Sequence, residues 1–164
     1  MPFMPIVGTL AYVWDRESDR VLLVHRIARD HDDHYGKYNG LGGKLEPDES
    51  AVEGLRRELA EEAAIELTSV TLRGTITWTG FGPKGEDWLV FVFRVDGWTG
   101  EPPESNPEGR LEWQPRAALL GGELPMWDGD RHFLPLVFDD DERQFHGAMP
   151  YDGDRPLSWT YERI

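Results

Sequence analysis

The stretch from Gly40 to Ile65 constrains this chain more than any other. It reads Gly-Leu-Gly-Gly-Lys-Leu-Glu-Pro-Asp-Glu and continues from Ser50 to Ile65. A glycine-rich loop thus runs straight into an acidic helix. Ser50 or Asp48 can accept the first free helix N–H groups, and Glu53, three residues after Ser50, completes a capping box. The alanines, leucines, arginines and glutamates that follow favour helix through Ala64.

Turning this segment by about 100° per residue puts Val52, Leu55, Leu59 and Ala63 in one sector, which is expected to face a core. Glu58, Glu61 and Glu62 fall in the neighbouring sector at i, i+3 and i+4, beside the small residues Ala51 and Gly54. Like charges so spaced repel by roughly a few tenths of a kcal/mol per pair. A hard divalent cation reverses that penalty, because it takes carboxylate oxygens and keeps waters that a phosphate can replace.

The rest of the chain has a globular rather than a disordered composition. At 164 residues it is read as one domain, 1–164, long enough to bury a core. No apolar run approaches membrane-spanning length, and Met1 to Pro5 does not read as a signal peptide, so a cytoplasmic location and no membrane partner are expected. The absence of cysteine excludes a disulfide framework and thiol chemistry. A net charge of −14 argues against a grip on nucleic acid backbones. It also suits an anionic substrate only if cations neutralise the site.

Taken in order, Ile6–Trp14 and Val21–His25 read as a strand hairpin about the polar turn Asp15–Asp19. The charged loop Ala28–Lys37 carries His31 and His34, read as solvated, since their spacing fits no standard zinc pattern. Leu67–Trp78 reads as a strand with Val70, Leu72, Ile76 and Trp78 on one face. Trp88–Val95 reads as a deeply buried strand. Gly97–Arg110, rich in proline, glycine and acid, reads as a mobile loop. A short strand, Leu111–Gln114, and a helical turn, Pro115–Leu120, follow. Asp128 or Asp130 then caps a helix to Phe138, and Gln144–Met149 and Leu157–Arg163 form strands about a turn at Asp152–Asp154. This alternation suits an α/β sandwich with a mixed sheet.

Gly43, five residues, Glu49, seven residues, then Arg57-Glu58-Leu59-Ala60-Glu61-Glu62-Ala63-Ala64-Ile65 resembles the signature of the Nudix hydrolases. The resemblance implies a loop–helix–loop that binds magnesium and a pyrophosphate, within an α/β/α sandwich. One position departs: the family usually has glycine where this chain has Ala64. That glycine ends the helix in a left-handed turn, which costs alanine about 1 kcal/mol, so a different helix end is expected here.

A narrower resemblance is to the MutT-type branch that hydrolyses oxidised purine nucleoside triphosphates such as 8-oxo-dGTP. It is carried by Tyr38-Asn39-Gly40-Leu41-Gly42-Gly43-Lys44, by Met126-Trp127 with Phe133-Leu134-Pro135-Leu136, and by Phe145-His146-Gly147, Tyr151 and Leu157–Tyr161. It implies that Asn39 hydrogen-bonds a purine, Trp127 stacks on it and Asp130 bonds its edge. Alone, Trp127 reads as an ordinary core residue and Asn39 as a stabiliser of the turn before Gly40. The branch has two adjacent aspartates near here, and the first is Gly129 in this chain; Asp128 is the only nearby substitute.

The implied cofactor is Mg2+, with Mn2+ an alternative, held by Glu58, Glu61, Glu62 and the Gly42 carbonyl. Glu58 is either ligand or base, and Glu108 is either a further ligand or base or a solvated loop acid. Arg57 pairs with Glu49 to hold the loop on the helix. Lys44 and Arg26 are either phosphate contacts or surface charges. The expected partner is a small nucleotide. The competing expectations are another diphosphate substrate, such as ADP-ribose or a dinucleotide polyphosphate, and a noncatalytic binding module, against which the intact Glu58, Glu61 and Glu62 argue.

Overall fold

A computed structural model describes all 164 residues. The first strand, β1 (Ile6–Asp15), turns back into β2 (Arg20–His25), and a two-residue strand β3 (Tyr38–Asn39) leads to helix α1 (Ala51–Ala63). Two long strands, β4 (Glu66–Phe81) and β5 (Glu86–Thr99), come next, then the short hairpin β6 (Ser105–Asn106) and β7 (Gly109–Pro115). Helices α2 (Arg116–Leu120) and α3 (Asp130–Phe138) precede β8 (Phe145–Gly153), β9 (Arg155–Pro156) and β10 (Thr160–Arg163). The main path across the sheet is β10-β8-β4-β5-β1-β2-β7-β6, with β3 on β2 and β9 on β8. The β1–β5 and β4–β8 pairs are parallel and the others antiparallel, so the sheet is mixed.

Side chains alternate across the central strands, as a period of two requires. Ala11, Val13, Leu22, Val24, Phe93 and Val95 face α1 and bury Leu55, Leu59 and Ala63. Tyr12, Trp14, Val21, Leu23, Val90 and Val92 face the other way and pack with Phe133, Leu134, Val137 and Phe138 of α3. Helices on both faces of one mixed sheet give the expected α/β/α sandwich.

Three local expectations are corrected. Val52 is 41% exposed. The wheel fixes its direction around the axis but not how far the packed cluster reaches along it, and of the first turn Ala51 packs there instead. In β4 the residues Val70 and Leu72 pack on the α1 side, whereas Ile76 and Trp78 pack on the α3 side. The cause is a bulge: Leu72 pairs with Phe93 and Gly74 with Val92, leaving Arg73 as the extra residue that flips the strand. Arg73, 3% exposed, then points at the end of α3 and donates to the carbonyls of Leu136, Val137 and Asp141. Arg94 also donates to Val137 O, so two guanidinium groups answer the free carbonyls at a helix C-terminus. Finally, Gly97–Arg110 is not one open loop: β5 continues to Thr99, and β6 and β7 form a hairpin whose Asn106 pairs with Gly109.

The helix boundaries carry three further findings. Ser50, not Asp48, caps α1, its hydroxyl accepting from Glu53 N while Glu53 Oε1 accepts from Ser50 N. At the other end Ala64 adopts φ 54° and ψ 35°, so the left-handed turn forms although glycine is absent. At α3 neither Asp128 nor Asp130 acts as the cap: Gly129 occupies that position without a side-chain bond.

Candidate active site

The loop before α1 is stitched to β1 by backbone bonds. Leu41 O accepts from Ala11 N, and Gly43 O from Thr9 N, while the Gly42 carbonyl between them accepts none. Gly42 takes φ +144°, and a Cβ there would lie 2.1 Å from Thr9 O, so only glycine fits. Gly43 likewise leaves room for Glu58, whose Oε1 would be 2.6 Å from an added Cβ.

Arg57 ties loop and helix together as expected. Its Nε and Nη2 donate to the two oxygens of Glu49 at 3.0 and 2.7 Å, a bidentate pair that holds the Glu49 carboxyl down at about 2. Nη2 also reaches Lys44 O at 3.2 Å, and Nη1 donates to Glu58 Oε1 at 3.0 Å and Glu61 Oε2 at 3.5 Å. Glu62 lies behind, accepting from Gly42 N at 3.4 Å. Burial first, then the charges of Glu108 and Glu58, raise its proton affinity strongly.

Glu108 reaches this cluster through the β6–β7 hairpin. Asn106 Oδ1 accepts from Glu108 N and Gly109 N, and Asn106 Nδ2 donates to Glu62 O at 3.1 Å. Asn106 thereby docks the hairpin on the end of α1. The sequence reading missed it, although Asn-Pro-Glu-Gly is a turn-forming run.

The residues present fit a divalent cation by chemistry. All donors are oxygens, and Glu58, Glu62 and Glu108 crowd like charge that a cation would relieve. The side chains are not gathered at metal-binding distance around one point, and Glu61 is turned outward toward Arg57.

Beside the loop opens a cavity walled by Leu10, Trp78, Phe81, Trp88 and Trp127, with Arg26, His34, Asn39 and Asp130 as polar members and Gly42 and Gly43 at its rim. Parallel pairing of β1 with β5 puts Gly8 and Thr9 into the same wall. Asn39 borders this space and its amide makes no hydrogen bond within the protein, which removes the turn-stabilising reading. Trp127 is both core and wall: it is 6% exposed, 4.7 Å from Phe81 by ring centroids, and has the Lys37 ammonium 4.5 Å above its ring. The buried indole nitrogens of Trp78 and Trp88 have no partner.

Asp130, 9% exposed, presents a carboxylate with no protein donor, and burial pushes it up to about 7. Next to it, Gly129 is closely packed. A Cβ there would sit 2.0 Å from Tyr151 Oη and 2.4 Å from Met149 Sδ. Tyr151 Oη instead accepts from Gly129 N at 3.1 Å, so β8 fills the place where a side chain at 129 would begin. Asp128 is exposed and no part of the cavity, so it does not substitute.

The remaining expected contacts are split. Arg26 borders the cavity but is already engaged, donating to Asp32 at 2.8 Å and pairing with Glu108 at 3.6 Å. Lys44 is exposed and outside it, its Nζ 5.7 Å from the Trp88 ring. His31 is solvated as expected, but His34 is not: it is packed in the cavity wall and its Nδ1 accepts from Trp127 Nε1 at 2.7 Å.

Comparison with known proteins agrees with this arrangement. The model of the NUDIX domain matches residues 4–137. An uncharacterised Nudix hydrolase of Bacillus subtilis is 31% identical over 82% of this chain and 80% of its own. The oxidised purine nucleoside triphosphate hydrolase of Danio rerio is 32% identical over 72% of each chain. In structure, the mutator MutT protein of Bacillus halodurans superposes with a TM-score of 0.80 at 30% identity, covering 96% of this chain and 97% of that one. No helix is long and apolar enough to cross a membrane. The chain belongs to the Nudix family and is a hydrolase of phosphoric anhydrides.

Proposed function

We propose that this hydrolase is a Mg2+-dependent pyrophosphohydrolase of purine nucleoside triphosphates, oxidised forms such as 8-oxo-dGTP included, releasing a nucleoside monophosphate and pyrophosphate. The observation that carries the reading is a juxtaposition. The carboxylate-rich loop and helix border an aromatic cavity whose Asn39 and Asp130 side chains have no partner in the protein. Anhydride and base then find separate ends of one site. The resemblance to the oxidised purine nucleoside triphosphate hydrolase of Danio rerio supports the same substrate class.

In this reading Asn39 and Asp130 bond the purine edge and Trp127 offers a stacking face, which holds any purine because every base has a π-surface. Selectivity then comes from the hydrogen bonds, where a mispaired buried group costs about 1–3 kcal/mol. Glu58, Glu61, Glu62 and the Gly42 carbonyl hold the cation, and Mn2+ is an alternative occupant. The cation would supply charge neutralisation for the leaving pyrophosphate and a lower pKa for the attacking water. Glu58 or Glu108 takes the proton of that water. Arg57 orients Glu58 and Glu61 from the loop, and Arg26 and Lys44 contact phosphate once released from their present neighbours. The chain works as one domain in the cytoplasm, on a small nucleotide and without nucleic acid.

A panel of 8-oxo-dGTP, dGTP, dATP, CTP and ADP-ribose with Mg2+ tests this, the products being followed by phosphorus NMR. Purine triphosphates should give pyrophosphate as first product. Orthophosphate as first product, or preference for ADP-ribose, would overturn the reading.

A further inference from the structure

Trp127 does not rest in the cavity on packing alone. An indole N–H is a donor only. Its 2.7 Å bond to His34 Nδ1 therefore requires that nitrogen to be unprotonated. The two rings meet edge to face, with centroids 5.3 Å apart and planes at 79°, and both border the same cavity. His34 sits on a loop whose shape is itself fixed. Asp32 Oδ1 accepts from His34 N and Asp32 Oδ2 from Arg26 Nε. Lys37 N donates to His34 O, Gly36 N to Arg26 O and Arg26 N to Lys37 O. Two segments far apart in sequence are thus joined at one bond between side chains.

From this geometry we infer that His34 is a positioning residue for the base: its neutral Nδ1 locks the Trp127 indole, and protonation releases the lock, so that base binding weakens in acid. The inference rests on the purine reading for its kinetic consequence, but the lock itself is a property of the free protein. Protonation turns Nδ1 from acceptor to donor and leaves two N–H groups facing each other. The groups around the ring are Arg26 and Lys37, which disfavour the charged form, and Asp32 and Asp33, which favour it; Asp130 borders the same cavity from α3, while Phe81 is its uncharged neighbour from β4. Burial and the two cations prevail, so His34 titrates below the usual histidine range and the lock is closed at neutral pH.

Two variants and one spectroscopic reading test the inference. His34→Asn places an amide oxygen near the position of Nδ1 and keeps an acceptor that does not titrate. His34→Leu keeps bulk and removes the acceptor. At pH 7.5 His34→Leu should raise KM for purine triphosphates about five- to tenfold, the value of one neutral hydrogen bond, with kcat little changed. His34→Asn should stay close to the parent at that pH yet lose the part of the KM rise that the parent shows as His34 protonates in acid. In the free parent, the Trp127 indole 15N–H resonance, assigned with Trp127→Phe, should shift as His34 protonates and should not shift in His34→Asn. The Asp130→Asn variant, in which that shift should persist, separates this titration from that of Asp130. An unshifted indole resonance, or an unchanged acid rise of KM in His34→Asn, would overturn the inference. Because the resonance is read without substrate, it holds or fails independently of which nucleotide is hydrolysed, and of whether His34→Leu folds.

Discussion

The two ends of the proposed site are built in opposite ways. The anhydride end is local: Gly42, Gly43, Glu49, Arg57, Glu58, Glu61 and Glu62 lie in one short loop and helix, braced by a single guanidinium. The base end is assembled from distant strands and loops, with Thr9, His34, Asn39, Trp78, Trp88, Trp127 and Asp130 meeting only after the sheet has formed. Every helix position that matters to the anhydride end fits the family pattern. The base end departs from its nearest pattern at Gly129, against which Tyr151 and Met149 pack.

This contrast breaks most sharply by mutation at the anhydride end. Glu61→Gln and Glu62→Gln should each lower turnover by at least about a hundredfold on every substrate, with the fold retained, as loss of metal-assisted catalysis requires. Stopped assays under chelator, restored by added Mg2+, should show the same absolute dependence. Near-normal turnover in both variants would put the cation elsewhere.

At the base end the largest expected effect is steric. Gly129→Asp drives a Cβ into Tyr151 Oη and Met149 Sδ and should destabilise by about 1–3 kcal/mol, the usual cost of overpacking. Combining it with Tyr151→Ala should recover part of that loss in a thermal melt. No recovery would mean that Tyr151 is not what excludes a side chain at 129.

A subtler effect comes from Asp130. Its folded pKa, about 7, lies above the unfolded carboxylate value. The folded state therefore binds the proton more tightly, and stability falls as pH rises from near 4 through 7. Asp130→Asn should remove this slope, gaining on the parent in melting temperature between pH 5 and 8, and should change the ranking among purine substrates. Parallel curves for parent and variant would contradict a buried, proton-binding Asp130.

The smallest expected effect sharpens the contrast from the other side. Ala64→Gly relieves a left-handed alanine and should add about 1 kcal/mol, a rise of about 2–4 °C for a chain of this size. Kinetics should not change, because Ala64 follows the carboxylates and contacts none of the cavity.

How much was legible in the sequence follows the same division. The capping box, the Arg57–Glu49 brace and the acidic face of α1 could be read directly, because each depends on residues within a few turns of one another. Burial of Val52 and the single face assigned to β4 failed for reasons that are not local. One depends on where a helix overhangs its cluster, the other on a bulge at Arg73 whose side chain is held by carbonyls at the end of α3. The ordering of Ser105–Gly109 and the locking of Trp127 by His34 each need a contact across a wide gap in sequence, 44 residues for Asn106–Glu62 and 93 for Trp127–His34. Charge on the loop histidines pointed to solvent, and only the folded chain shows one of them half-buried in the cavity wall. The family resemblance supplied Asn39, Trp127 and Asp130. In the structure the side chains of Tyr151 and Met149 pack closely against Gly129 beside them.

The central claim is that purine binding and anhydride cleavage occupy these two ends of one site. Steady-state kinetics of Trp127→Ala on 8-oxo-dGTP, dGTP and CTP test it most directly. The account predicts a KM raised about tenfold or more for both purines, as loss of a stacking face worth 1–3 kcal/mol requires, with kcat largely kept and melting still cooperative. Unchanged KM values on both purines in a folded variant would make Trp127 a core residue alone and contradict the account.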